Sequence, residues 1–295
     1  MSKLVWDKIE ERFFETGTDR GVLYMQENGN YNNGVAWNGL TGVTESPSGA
    51  EPSKQYADNI AYVTLMSAEE FAGTIEAFTC PDEFFQFDGI VTTPSGMKIG
   101  QQKRPDFGFA YRTKKGSAAD EDLGYKLHLV YGAKASPSEK AYKTVNDSPE
   151  PLTFSWAFTT TPVNVTGFRP TSIVTIDSTD PRVSASALQN LEDILYGTDD
   201  GGGGGNDPRL PLPDEVNTIL EDGIQLVTPT APSYNAATDT ITIPATTGVV
   251  YSINGDDKDP NEAVVITEDT VVRARPAAGY SFTGTYVNQW YIAFT

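Results

Sequence analysis

Through the first two hundred residues, apolar and polar positions alternate in short runs. Phe107, Phe109 and Tyr111 share one parity, while Gly108, Ala110 and Arg112 take the other. Tyr125, Leu127, Leu129 and Tyr131 stand against Lys126, His128 and Val130 in the same way. Leu152, Phe154, Trp156 and Phe158 alternate with Thr153, Ser155, Ala157 and Thr159. A period of two marks a half-buried strand. Strands are expected over 35–45, 55–66, 70–79, 105–113, 123–132, 151–162 and 171–177, and the three alternating runs read as half-buried, with a wet or interface face opposite the core. The polar stretch Lys114–Asp122 contains Gly116 and three consecutive acids, and predicts that 105–113 and 123–132 form a hairpin. One segment has helical spacing instead. Ala185, Leu188, Leu191 and Leu195 make an apolar stripe, Ser184 or Ser186 supplies a cap, and Gly197 a stop.

The run of five glycines at 201–205, flanked by Asp199, Asp200, Asn206 and Asp207, predicts a flexible linker, because glycine has no side chain to bury and much conformational entropy to lose. It does not read as a phosphate-binding loop: no strand leads in, no Lys-Ser or Lys-Thr follows, and the flanks are acidic. Pro211–Leu220 then predicts a short helix with proline and acids in its first turn. Beyond it, Thr240–Pro244, Gly248–Gly255, Ala263–Thr267, Thr270–Arg275 and Trp290–Phe294 are short apolar runs separated by Asn-Gly, Asp and Pro, as in a small sandwich. The expected class is mainly β. A sandwich or barrel core with a flanking helix occupies 1–198, of which 1–20 is an N-terminal arm. An acidic linker spans 199–224, and an immunoglobulin-like sandwich without the Cys…Trp…Cys signature spans 225–295.

Charge and rare residues narrow the function. The chain carries 40 acidic and 21 basic residues, a net charge of −19, which disfavours ordinary DNA binding because such a surface repels phosphate. The single histidine, His128, excludes multi-histidine metal sites, and its place between Leu127 and Leu129 reads as an outward strand position. The single cysteine, Cys80, excludes an intrachain disulfide and reads as a buried strand cysteine. No Gly-x-Ser-x-Gly elbow or His-Glu-x-x-His helix is present. Asp256-Asp-Lys-Asp259 departs from the spacing of a calcium loop and reads as a polar turn after Asn254-Gly255. No catalytic residue, metal or cofactor is expected, and the chain does not read as an enzyme. No apolar run approaches the roughly 20 residues that span a bilayer. The N-terminal residues lack the apolar core of a signal peptide, so folding in the cytoplasm of the producing cell is expected.

Two long stretches carry a family likeness. One runs from Trp37-Asn-Gly-Leu-Thr-Gly-Val-Thr-Glu-Ser-Pro-Ser-Gly-Ala-Glu-Pro52 through Tyr56–Ile60 to Leu65-Met-Ser-Ala-Glu-Glu-Phe71 and Cys80-Pro-Asp-Glu-Phe84. The other runs from Ile99-Gly-Gln-Gln through Gly124-Tyr-Lys-Leu-His-Leu-Val-Tyr131 to Ala135–Lys140 and Phe154-Ser-Trp156. Together with Leu191–Gly197 they resemble the major tail, or tail-tube, proteins of long-tailed bacteriophages with non-contractile tails (siphophages), over most of residues 13–197. The resemblance implies a structural virion subunit made in the host bacterial cytoplasm and located in the virion tail. Six copies would form a ring, and stacked rings a tube that serves as the conduit for DNA ejection. The implied partners are further copies of the chain, a tape-measure protein, a tail terminator and baseplate or tail-tip proteins. DNA would pass through the lumen without specific binding.

In that family a long loop or hairpin reaches the neighbouring ring. The candidate here is Glu45, Ser46, Pro47, Ser48, Gly49, Ala50, Glu51 and Pro52, with Pro and Gly where a hairpin tip or extended loop has them. Leu4, Val5, Trp6, Ile9, Phe13 and Phe14 give the N-terminal arm apolar groups suited to packing on a neighbouring subunit. The C-terminal unit resembles immunoglobulin-like modules appended to virion proteins. Trp290, Tyr291, Tyr280 and Tyr286 offer rings for weak contact with cell-surface carbohydrate. The competing readings are a tail-end ring protein such as a terminator, and a two-domain surface-binding protein.

Overall fold

The computed structural model describes residues 6, 12–118, 120–144, 147, 150–199, 205–222, 225–277, 280–282 and 286–294. The fold is mainly β. Ile9–Asp177 and Glu192–Val216 make one compact unit, while Ser178–Leu191 and Asn217–Thr295 belong to a second, so the division passes through both helices. The chain first forms β1 (Phe13–Glu27), β2 (Asn30–Trp37), β3 (Leu40–Glu45), β4 (Ser48–Gly49), β5 (Pro52–Ala57), β6 (Ile60–Met66), β7 (Glu69–Glu70) and β8 (Ala72–Ala77). After a 3-10 turn at Asp82–Gln86 come β9 (Val91–Thr92), β10 (Lys98–Ile99), β11 (Phe107–Ser117), β12 (Gly124–Ala135), β13 (Phe154–Thr160) and β14 (Ile173–Asp177). Helices α1 (Ala185–Tyr196) and α2 (Pro213–Asp222) follow.

The main sheet runs β2-β1-β11-β12-β13-β8-β3, with β14 added on β12. β12 belongs to both halves. Its residues Lys126–Val130 pair with β14, and Ala133–Ala135 pair with β13. Between them Gly132 takes a φ of 58°, and a Cβ there would stand 2.2 Å from the Thr161 carbonyl oxygen. Only glycine fits this position, where β12 passes from pairing with β14 to pairing with β13. The end strands β2 and β3 do not pair with each other, so the described residues form no closed barrel.

Aromatic rings fill the fold. The Trp37 ring is tilted against Phe84, with centroids 4.6 Å apart, and meets Trp156 edge-on at 5.5 Å, and its indole nitrogen donates to the Thr79 carbonyl at 2.9 Å. Phe107, Phe109, Ile75 and Phe158 complete this buried cluster. The expected hairpin 105–113/123–132 is present, although both strands run longer and are buried on both faces over much of their length. The wet second face expected of them is therefore absent. On β11, Tyr31 and Leu210 lie against Gly108 where water was expected, and on β12 His128 and Val130 are buried.

Three strand expectations need correction. Residues 35–45 are two strands, because Asn38-Gly39 turns the chain from β2, which pairs with β1, to β3, which pairs with β8. Residues 55–66 are two strands of a hairpin. Phe13–Glu27, read in part as a free arm, is a long strand between β2 and β11.

The linker also begins differently. Residues 201–204 of the glycine run lie outside the described residues, but Gly205–Leu212 returns to the core unit as a strap. Gly34 N–H donates to the Pro208 carbonyl at 2.9 Å, Leu210 N–H to Tyr31 at 3.0 Å and Arg209 N–H to Ile194 at 2.9 Å. The Tyr131 hydroxyl donates to the Pro211 carbonyl at 2.9 Å. The helix caps follow the sequence: Ser184 Oγ accepts from Ala187 N–H at 3.1 Å, and Gly197 closes α1 at φ 78°.

The C-terminal strands are β15 (Gln225–Val227), β16 (Ser233–Asn235), β17 (Thr240–Thr242), β18 (Val249–Ile253), β19 (Asp256–Lys258), β20 (Ala263–Val265), β21 (Thr270–Pro276), β22 (Tyr280–Phe282) and β23 (Gln289–Ile292). The antiparallel sheets β16-β17-β20 and β19-β18-β21-β23 contribute to one core around Ile241, Tyr251 and Val272, and β15 pairs in parallel with β22. Asn254-Gly255, both at positive φ, are themselves the two-residue turn between β18 and β19, and Asp256–Lys258, expected as a polar turn, form strand β19 because they pair with Tyr251–Ile253.

Candidate assembly arm

Between β3 and β8 the chain leaves the core sheet as a ribbon. Ser46 N–H donates to the Ala72 carbonyl at 2.8 Å, which closes the base. β4 pairs with β7 and β5 with β6, in antiparallel register from Pro52↔Met66 to Ala57↔Ile60. Asp58 and Asn59 make the tip, with φ of 51° and 62°, the signature of a two-residue type I′ turn. The β5–β6 ribbon alone is roughly 20 Å long at the usual strand rise. Every residue from 51 to 70 is exposed.

The proposed connector Glu45–Pro52 is thus the rising leg of this arm, and the hairpin tip lies at Asp58-Asn59. Gly49 has a structural reason to be glycine: at φ 81°, a Cβ would stand 2.4 Å from the Ala68 carbonyl oxygen. The bulge between Gln55 and Tyr56 sets the faces. Tyr56, Tyr62 and Met66 line one side, and Ile60, Val63 and Leu65 the other. Tyr56, Tyr62 and Met66 are each about 70% exposed. A two-stranded ribbon with apolar groups on both faces has no core of its own to stabilise it.

The foot of the arm is tied to the main sheet. Tyr111 donates to Glu45 Oε1 at 2.5 Å, and His128 Nδ1 lies 3.5 Å from the same oxygen. The His128 ring stacks on Tyr111 with centroids 4.6 Å apart. Thr113 Oγ1 sits 3.0 Å from its Nε2, and Thr175 Oγ1 3.3 Å from its Nδ1. His128 is therefore buried rather than outward, because Tyr111 stacks on its ring, Glu45 at the end of β3 lies against it and β14 pairs along that edge of β12. Burial holds its pKa below the usual histidine value, against the pull of Glu45 and Glu15, while Lys126 reinforces the drop. Burial, with Glu45 as acceptor, raises the Tyr111 phenol well above its ordinary value.

Of the N-terminal apolar group, Leu4, Val5 and Ile9 lie outside the described residues, and Trp6 is exposed. Phe13 and Phe14 begin β1, opposite Ser117 and Gly116. A Cβ on Gly116 would meet the Phe14 ring at 2.8 Å, so Phe14 covers its own chain's glycine, while Phe13 is exposed with Lys115 over its ring. The C-terminal rings do not form one face. Trp290 and Tyr291 are neighbours on β23 and point to opposite sides: Trp290 packs toward Tyr251, and Tyr291 is exposed and bonded to Asp269. Tyr280 lies against Gly248, and Tyr286 against Phe282.

Several basic side chains on the main sheet are paired with acids. Arg112 is held by Asp19 at 2.9 Å and lies 3.8 Å from Glu192; Lys126 pairs with Glu15, and Lys115 with Asp177. Cys80 lies in the loop after β8, half-buried rather than within a strand, and burial pushes its thiol up to about 11. No group of His, Cys, Asp and Glu suited to a metal occurs among the described residues, and no helix among them is long and apolar enough to cross a membrane. No protein-family model matches this chain, and no curated protein matches it.

Proposed function

We propose that this chain is the major tail protein of a long-tailed phage, a structural subunit that closes into six-membered rings and stacks them into a non-contractile tube for DNA. The observation that carries the reading is the arm: twenty consecutive exposed residues, apolar on both faces, rising from a mainly β core. A ribbon of this kind is stable when other surfaces cover it. The sequence likeness over residues 13–197 supplies the partner, further copies of the same chain, and the arm is the connector between rings. Head-to-tail contact that closes after a fixed rotation gives rings, and a second such contact along the axis gives a tube. The pairing of Arg112, Lys126 and Lys115 with carboxylates agrees with a conduit that holds no phosphate.

The experiment is negative-stain imaging of the purified chain at high concentration, with and without a tail initiator. Six-fold rings or tubes are expected. Because Ser46 and Ala72 are already hydrogen-bonded neighbours, replacing 47–70 with a short Gly-Ser turn, and keeping Phe71 that packs on the core, should leave the core folded and abolish stacking. Tubes of normal length from that variant, or a parent chain that stays monomeric under all these conditions, would overturn the reading.

A further inference from the structure

We infer that the arm of one copy docks on the lobe formed by residues 89–103 of a second copy, through joined apolar faces and opposite charge. The inference rests on the assembly reading above and names the surface that receives the arm. Arm residues 46–71 carry four acids, Glu51, Asp58, Glu69 and Glu70, and one base, Lys54. Among the described residues none of these four carboxylates has an ion pair. Six exposed apolar side chains lie beside them, presenting roughly 700 Å² of surface, close to one partner's share of a standard interface.

The lobe has the opposite character. In a chain of net charge −19, residues 89–103 hold two bases, Lys98 and Lys103, and no acid. Its ends are fastened together by Gln102 N–H donating to the Gly89 carbonyl at 2.9 Å. Its foot is fixed by Arg104, which donates to the Asp88 carbonyl at 2.9 Å. The lobe is thus a closed loop that needs little ordering on contact. Val91 and Ile99 are direct cross-strand partners and share a face; both are exposed, as is Met97. Lys98 rides over the Phe85 ring 3.8 Å from the exposed Asp82, and Lys103 is exposed without an ion pair among the described residues. An exposed apolar face in a segment whose only charges are cationic matches an exposed apolar ribbon whose charges are mainly anionic. Arm and lobe are different patches of one chain. The contact is therefore head-to-tail and repeats from copy to copy, as a stack of rings requires.

Charge exchange in the full chain tests this. The lobe variant is Lys98→Glu with Lys103→Glu, the arm variant is Glu51→Lys with Glu69→Lys, and the swap variant carries all four. Self-association, read by sedimentation velocity, should weaken roughly tenfold or more in either double variant and return to within about threefold of the parent in the swap. An equimolar mixture of the two double variants should also assemble, since each arm then meets an opposite lobe. In a Cys80→Ser background, chains carrying Tyr62→Cys mixed with chains carrying Met97→Cys should give a disulfide-linked heterodimer under mild oxidation. Lobe reversal that leaves association at the parent level, a swap no better than either half, or absence of the heterodimer overturns the inference. If the parent forms tubes in that event, the tube reading stands and only the docking surface falls. If association follows the charge exchange and the heterodimer forms but imaging finds neither rings nor tubes, the docking surface stands and the tube reading falls.

Discussion

Leu210→Ala asks whether the segment after the glycine run is a tether or a piece of the core. Leu210 is 2% exposed and lies over Gly108 in β11, where an added Cβ would come within 2.7 Å of its Cδ2 and 2.8 Å of Tyr31 Cδ1. Truncation opens a cavity floored by a glycine that has no side chain to refill it. The backbone bonds of Arg209 and Leu210 keep the strap in place, so collapse is limited. The cost falls in the ordinary range for a buried leucine, about 3 kcal/mol. Gly108→Ala strikes the same contact from below and overpacks it by about 2 kcal/mol. The two changes compensate, because the new methyl group enters the space the leucine vacates. The double variant should therefore be less destabilised than the sum of the singles by on the order of 1–2 kcal/mol. Urea unfolding followed by tryptophan fluorescence reads this directly, since Trp37 and Trp156 lie in the core. Leu212→Ala, at a more exposed neighbouring position, should lose less than half as much. A Leu210→Ala midpoint equal to that of the parent, or singles that add without coupling, would mean that the strap only lies on the surface.

Two further outcomes concern titratable groups. With its thiol raised to about 11 by burial, Cys80 should be alkylated at pH 8 roughly a hundredfold more slowly than an exposed cysteine, and native chain modified at the exposed rate contradicts that burial. His128 has a folded pKa below the ordinary 6.5, so the unfolded chain binds its proton first. Its contribution is complete above pH 6.5 and is lost as pH falls from there toward the folded value. As the only histidine, it should show an imidazole proton titration by NMR with a midpoint below 6.5, and a midpoint above that value would mean that Glu45 outweighs burial.

Alternation of polarity made the central strands legible, and β11, β12 and β13 stand where Phe107–Tyr111, Tyr125–Tyr131 and Phe154–Phe158 put them. It missed β1 because the polar stretch Glu15–Arg20 is satisfied across strands, Asp19 by Arg112 and Glu15 by Lys126, so polarity there does not mark solvent. It mistook the second face of β11 for a wet one because Gly108 and Ala110 are small, and what covers them, Tyr31 and the strap residue Leu210, is distant in sequence. Local pattern holds no record of a partner a hundred residues away.

The arm shows the same limit from the other side. β6, Ile-Ala-Tyr-Val-Thr-Leu-Met, is apolar on both parities, as is much of β12, and composition alone does not tell them apart. Neighbours do. β12 lies between β11 on one edge and β13 and β14 on the other, inside two aromatic layers, whereas β6 pairs with β5 alone. A strand apolar on both faces and covered on neither carries surface that the chain itself leaves in water. In β12 that surface is balanced within the monomer. In β6 no described residue of the chain covers it, so the feature that made this segment look like one strand of the sheet is the one on which the proposed assembly contact rests.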